Sequence, residues 1–127
     1  NAYIALLDKP EDIIKKFKRA VTDSENNIAY DPDRPGVSNL LSIYCSLTDQ
    51  PMETAVAAFA GMGYGKLKQA VAEATVAALD PIRQRYDEIM ADQGELLALL
   101  RRGAAKAREV AAPTLTDVYK KIGFVEA

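Results

Sequence analysis

Apolar residues recur at three- and four-residue spacings over most of this chain, and no stretch of useful length alternates with the period of two that a half-buried strand requires. Ile13, Ile14, Phe17, Ala20 and Val21 fall on one side of a helical wheel, with Lys15, Lys16, Lys18 and Arg19 on the other. Asp8 is placed to N-cap this first helix, and Pro10 suits its first turn. Thr22 to Asn27 end it, and Asp31-Pro32-Asp33-Arg34-Pro35-Gly36 is dense with turn formers in the longest predicted loop. Val37, Leu40, Leu41, Tyr44 and Leu47 mark a second helix, terminated by Asp49 to Pro51, and Pro51 opens a short third helix through Phe59. Gly61, Gly63 and Gly65 break that helix. Leu67, Val71, Ala74, Ala78, Ile82 and Ile89 then form one stripe along a long fourth helix, which Pro81 should kink rather than end. Gly94 marks a turn, and Leu96, Leu100, Ala107, Ala111, Leu115, Val118 and Ile122 line a fifth helix that Pro113 interrupts. The pattern predicts an all-α bundle or array of about five helices.

The segment Tyr3 to Leu7 is too short for a helix of its own and reads as an extended or turn segment that needs a partner surface. The chain has no initial Met and opens directly into this apolar stretch, which is the pattern of a fragment of a longer chain. At 127 residues it has the length of one domain, enough to bury a core without disulfides or metal.

Composition narrows the chemistry. There is no histidine and a single cysteine, Cys45, which excludes His-based acid–base catalysis, Ser/His and Cys/His nucleophile pairs and His/Cys zinc sites. Cys45, between Tyr44 and Ser46, reads as a buried hydrophobe in a reducing compartment. No catalytic residue and no metal ligand is assigned. A formal net charge of −2 gives no global attraction to nucleic acid, so polyanion binding has to come from local patches. No apolar run is long enough to span a bilayer and the start lacks the layout of a signal peptide, so a cytoplasmic location is expected, with no membrane contact.

Four features invite a functional reading beside a structural one. The glycines of Gly61-Met62-Gly63-Tyr64-Gly65-Lys66 would let backbone N–H groups approach an anion, but the run lacks Walker spacing and a preceding strand, and a tight interhelical turn explains it. Lys66 and Lys68 nevertheless fall in the first turn of the next helix, where cations oppose the dipole. The basic face Lys15, Lys16, Lys18 and Arg19 could meet phosphates or be merely solvated. Asp23, Glu25, Asp31 and Asp33 lack EF-hand spacing and fit capping and turn chemistry better. Arg101, Arg102, Lys106 and Arg108 point in different directions around the fifth helix, as on a mixed surface, and the run Ala104 to Ala112 permits close helix packing.

Several separated blocks then carry a resemblance in the right order: Ile4-Ala5-Leu6-Leu7-Asp8 with Ile14-Lys15-Lys16, Ala20-Val21-Thr22-Asp23-Ser24-Glu25, Pro35-Gly36-Val37-Ser38-Asn39-Leu40-Leu41, Tyr64-Gly65 with Leu67-Lys68, Pro81-Ile82 with Arg85-Tyr86, Gly103-Ala104-Ala105-Lys106-Ala107, and Ile122-Gly123-Phe124. Over essentially its whole length the chain resembles the C-terminal part of the bacterial tryptophanyl-tRNA synthetases, class I enzymes of the same subgroup as the tyrosyl enzymes. The resemblance implies that residues 1–8 are a linker following a KMSKS loop and a catalytic domain that are missing here, and that residues 9–127 form the helical domain receiving the anticodon end of tRNA(Trp). It implies a parent ligase that uses ATP and Mg to activate tryptophan, homodimeric through its catalytic part, and a fragment that is monomeric, inactive alone and docked in the parent onto its own catalytic domain. It places Asp23, Ser24, Glu25 and Lys68 near the anticodon, with Lys66 as a neighbour. Unpaired bases are read by acids, amides and lysines at their hydrogen-bonding edges, which suits these side chains. Some relatives carry an iron–sulfur cluster on several cysteines; one cysteine cannot hold it. The competing expectation is a helical protein-interaction module with no nucleic-acid role.

Overall fold

Helix-starting and helix-stopping residues set most of the boundaries. The computed structural model describes residues 3–124, in which Pro10, Pro35 and Pro51 each stand at or just before a helix start. The helices are α1 (Pro10–Lys18), α2 (Pro35–Thr48), α3 (Met52–Ala58), α4 (Tyr64–Ala91) and α5 (Gln93–Ile122), with no strand among the described residues. The all-α expectation and the helix order are therefore met. The chain divides into two compact units, one up to Gln84 and one from Arg85.

In the first unit, Ile13, Val37, Leu40, Leu41, Leu67 and Val71 are fully buried, with Phe17, Ile28, Ala55, Phe59 and Ala72 around them. Each large aliphatic side chain so buried stabilises the fold by about 1.5–3 kcal/mol. Tyr44 meets Phe59 edge-on with ring centroids 5.1 Å apart, holding α2 against α3. Cys45 is half-buried rather than buried, its thiol 3.9 Å from the Met52 sulfur.

Several local expectations are corrected. Asp8 does not cap α1: Lys9 is the N-cap residue and makes no side-chain cap bond. The Asp8 carboxylate instead accepts from the Ala5 N–H at 2.8 Å and from the Lys16 ammonium, while its carbonyl accepts from Arg83 Nη1 at 2.9 Å. α1 stops at Lys18, so Ala20 and Val21 lie beyond it, and Val21 is 85% exposed. The α4 stripe is buried at Leu67, Val71, Ala72 and Thr75 and continues to half-buried Leu79, whereas Ala78 and Ile82 are exposed. The covered positions 67, 71, 75 and 79 are spaced by four and drift about 40° per step around a helix of 3.6 residues per turn, whereas the three-residue step to Ala74 turns the predicted stripe away from them. Thr75 stays in the core because its hydroxyl donates to the Val71 carbonyl at 2.7 Å. Gly65 lies inside α4 and breaks nothing; the turn is made by Gly61, at φ +72°.

In the second unit, α5 starts at Gln93 with Gly94 already helical, and the Asp92 side chain caps it by accepting from the Glu95 N–H at 3.0 Å. Pro113 does not interrupt α5. The residues around it are exposed, so water can take the carbonyl its missing N–H would have bonded. Gly123, at φ +78°, ends the helix, and the Phe124 N–H donates to the Tyr119 carbonyl at 2.9 Å. No side chain of α5 is buried; Leu96 and Ala98 are half-buried, and the Ala104–Ala112 run is open. No described helix is long and apolar enough to cross a membrane.

Candidate nucleic-acid interface

The loop between α1 and α2 is held by one guanidinium. Arg34, whose side chain is only 10% exposed, donates from Nε to Asp23 Oδ2 at 2.9 Å and from Nη2 to Asp23 Oδ1 at 3.1 Å. Nη2 also donates to the Asn27 carbonyl at 2.6 Å and to the Tyr64 hydroxyl at 2.8 Å, and Nη1 lies 3.4 Å from Glu25 Oε2. The Tyr64 hydroxyl donates to Asp23 Oδ1, so the first residue of α4 closes the ring. Asp23 also accepts from the Glu25 N–H at 3.0 Å, an Asx turn that leads into Asn26 at φ +52°.

This network sets the charges. The Arg34 and Tyr64 hydrogen bonds hold the Asp23 carboxyl well below its ordinary value of 3.8. The bond to Asp23 likewise raises the guanidinium of Arg34. Burial raises the Tyr64 hydroxyl, and its bond to Asp23 adds to that. The second half of the loop is tied to α2: the Ser38 hydroxyl donates to the Asp31 carbonyl at 2.6 Å and accepts from the Asp31 N–H at 2.9 Å. Asp31 Oδ1 accepts from the Asp33 N–H at 2.9 Å, a second Asx turn. Asp23 and Asp31 thus do the turn chemistry expected of the loop's acids, whereas the Glu25 carboxylate faces Arg34 instead. Gly36 is required where the loop passes α2, because a Cβ there would sit 2.5 Å from the Val21 carbonyl oxygen.

The predicted site residues are brought together in part. Asp23 and Glu25 meet on Arg34, and Ser24 between them is exposed. Lys68, half-buried on α4, lines a cleft of ≈ 420 Å³ with Lys18 of α1, together with Ile14, Gly65, Gln69, Ala72 and Glu73. Lys66 is exposed and does not line it. The supposed basic face of α1 is split: Lys15, Lys16 and Arg19 line a different, open groove of ≈ 1290 Å³ with the 3–8 segment, α2 and α4. Lys16 is engaged there by Asp8 and lies 5.1 Å from the Tyr3 ring centroid, while Lys15 sits 3.7 Å from Asp12. Lys15, Lys16 and Lys18 also occupy the last turn of α1, where cations complement the helix dipole.

The sequence pattern marks Tyr64 only as part of the block Tyr64-Gly65 and gives Arg34 no role beyond the turn-rich loop. Arg34 stands among turn formers, with partners 11 and 30 residues away. The available signal was one cation set in a loop carrying four carboxylates.

Residues 1–80 match the family model described as class I tRNA synthetases (W and Y). The chain belongs to that family. Its curated relatives include the tryptophan–tRNA ligases of Corynebacterium glutamicum, 50% identical over 123 residues, and Wolinella succinogenes, 44% identical over 125 residues. These matches cover 96% and 98% of this chain but 36% and 38% of the relatives, so the chain spans under two-fifths of their length. Among solved structures, a tryptophanyl-tRNA synthetase from Mycoplasma pneumoniae aligns with a TM-score of 0.79 and 31% identity, over 97% of this chain and 39% of that one. The family match includes both the α1–α2 loop and the start of α4, so the Asp23–Arg34–Tyr64 network lies wholly within this synthetase segment.

Proposed function

We propose that this chain is the tRNA-facing helical part of a tryptophan–tRNA ligase, binding the anticodon side of tRNA(Trp) and coupling it to a catalytic portion that activates tryptophan with ATP and Mg. The supporting observation is the coverage: nearly the whole chain aligns with tryptophan–tRNA ligases, on little more than a third of their length. The chemistry of the residues agrees. The 61–65 glycines serve a turn and a helix start, in keeping with the tight-turn reading of that run. ATP-dependent activation and the parent's dimer contact belong to the remainder of the ligase, onto which this chain docks.

The anticodon side is assigned to the α1–α2 loop and the start of α4. There Arg34 fixes the backbone of Asp23 to Asn27, while Ser24 and Glu25 stay exposed, and Lys68 follows Tyr64, which joins the same network, on α4. A loop fixed before the ligand arrives loses less entropy on binding. Titrating the chain with tRNA(Trp) at several salt concentrations tests this. Binding should be salt-sensitive, and Lys68→Ala should weaken it about three- to tenfold and lower the salt slope by about 1. Absence of binding at low ionic strength would overturn the assignment in favour of a protein-interaction module.

A further inference from the structure

The segment leading into α1 has little burial to hold it: Ile4 packs on the core, but Tyr3 and Leu6 are each more than half exposed. Polar ties hold it instead, and they converge on Asp8. The Asp8 N–H donates to the Ala5 carbonyl at 3.0 Å, and Asp8 Oδ2 accepts from the Ala5 N–H at 2.8 Å, which closes residues 5–8 into one turn. The same oxygen takes the Lys16 ammonium of α1. The Asp8 carbonyl accepts from Arg83 Nη1 of α4 at 2.9 Å, although the two residues stand 75 positions apart. Arg83 is aimed at this contact, since its side chain is only 16% exposed and its Nη2 is held by Asp80. A pairing of neighbours on one helix accounts for Asp80 and Arg83, but not for the reach of Nη1 to the entry segment. Pro81, two residues before Arg83, cannot donate to the Ala77 carbonyl, so α4 lacks a backbone bond beside the grip. All these residues belong to the first compact unit.

A segment tied at one point swivels about it, whereas ties to two helices fix its direction. We propose that Asp8 and Arg83 are positioning residues that join the entry segment to α1 and α4, so that the placing of these helices on the tRNA sets the placing of the segment, and through it of the catalytic portion. This joint rests on the tRNA-binding function above and on residues 1–8 being the link to that portion. Neither Asp8 nor Arg83 lines the cleft that holds Lys68. They therefore act on turnover and not on affinity for tRNA, since a small misplacement far from the reacting atoms slows the chemistry without loosening the remote contacts.

The test uses the full-length ligase that carries this chain, assayed for charging of tRNA(Trp) over a range of tRNA concentrations. Arg83→Met should lower kcat about tenfold and leave KM for tRNA within about twofold, since couplings between sites are typically worth about 5–150-fold. Arg83→Lys, which still donates to the Asp8 carbonyl, should recover most of that loss. Asp8→Asn, which loosens the tie to Lys16, should lower kcat in the same sense. Lys68→Ala should do the opposite, raising KM about three- to tenfold with kcat kept. An unchanged kcat in both Arg83→Met and Asp8→Asn overturns the joint while the tRNA-side reading stands on Lys68→Ala. A rise in KM with kcat kept in Arg83→Met places Arg83 on the tRNA surface and overturns it too. So does a fall in kcat that Arg83→Lys shares in full, or one matched by loss of folded enzyme at the assay temperature, because the contact is then structural only. If Lys68→Ala leaves KM unchanged, the tRNA-side reading falls and the joint falls with it.

Discussion

At the scale of single residues, Arg34 organises more of the candidate interface than any side chain that the sequence pattern marks. Asp23 was legible, because an acid in a turn-rich loop invites capping and because it falls in a block resembling a synthetase. Arg34 was not, because its role depends on partners that only the fold brings close. A pH prediction follows from the pair. The Asp23 carboxyl is held well below 3.8, so the unfolded chain takes up that proton first. Its contribution to stability is full above about pH 4 and is lost as the pH falls through the lower, folded-state value. Asp8, lowered by the Lys16 bond and then by the Ala5 N–H, acts in the same direction. In urea unfolding followed from neutral pH into the acid range, Asp23→Asn should flatten the loss of stability relative to the native chain. Asp8→Asn should flatten it separately. An Asp23→Asn curve parallel to the native one would mean that the clasp seen around Arg34 is not maintained in solution.

Among elements, helices α1 to α3 follow from prolines at their starts and α1 to α4 from apolar spacing within them, and the errors have physical sources. A wheel drawn through Ala20 and Val21 cannot know that the chain must turn at Arg19 so that the loop can pass beneath Gly36. A stripe chosen by hydrophobicity alone omits Thr75, whose hydroxyl is satisfied within its own helix. Pro113 stops nothing because an exposed helix can hand the freed carbonyl to water. Gly36 gives the sharpest test at this scale. The obstacle to a Cβ there is a backbone oxygen at 2.5 Å, which cannot rotate away as a flexible side chain would. Gly36→Ala should therefore destabilise the chain by about 1–3 kcal/mol despite the higher helix propensity of Ala. The denaturant midpoint of Gly36→Ala against that of Gly65→Ala measures this, because a Cβ at Gly65, inside α4, meets nothing within 4 Å. A Gly36→Ala variant as stable as Gly65→Ala would show that the loop is free to move off α2.

Over the whole molecule, an all-helical chain of five elements could be read from periodicity, but where the core lies could not. Periodicity says which face of a helix is apolar and nothing about what covers it. The pattern of α5 is as regular as that of α4, yet among the described residues burial is confined to those between Ile13 and Thr75, and Leu97, Leu100, Leu115 and Ile122 are each more than half exposed. Native-state amide exchange should reproduce that division. Amides at Leu40, Leu41, Leu67 and Val71 sit in the buried cluster and should open only with global unfolding, whereas those of α5 can open locally without breaking a buried contact. Exchange in the middle of α5 should therefore be faster by orders of magnitude and insensitive to Leu67→Ala, a substitution that costs the core about 2–5 kcal/mol. The segment Tyr3 to Leu7 should behave intermediately, since Ile4 packs on the core while Tyr3 and Leu6 are exposed. If α5 were as protected as residues 67–75 and lost that protection in Leu67→Ala, its apolar face would have to be covered in solution and to unfold with the core as one cooperative unit.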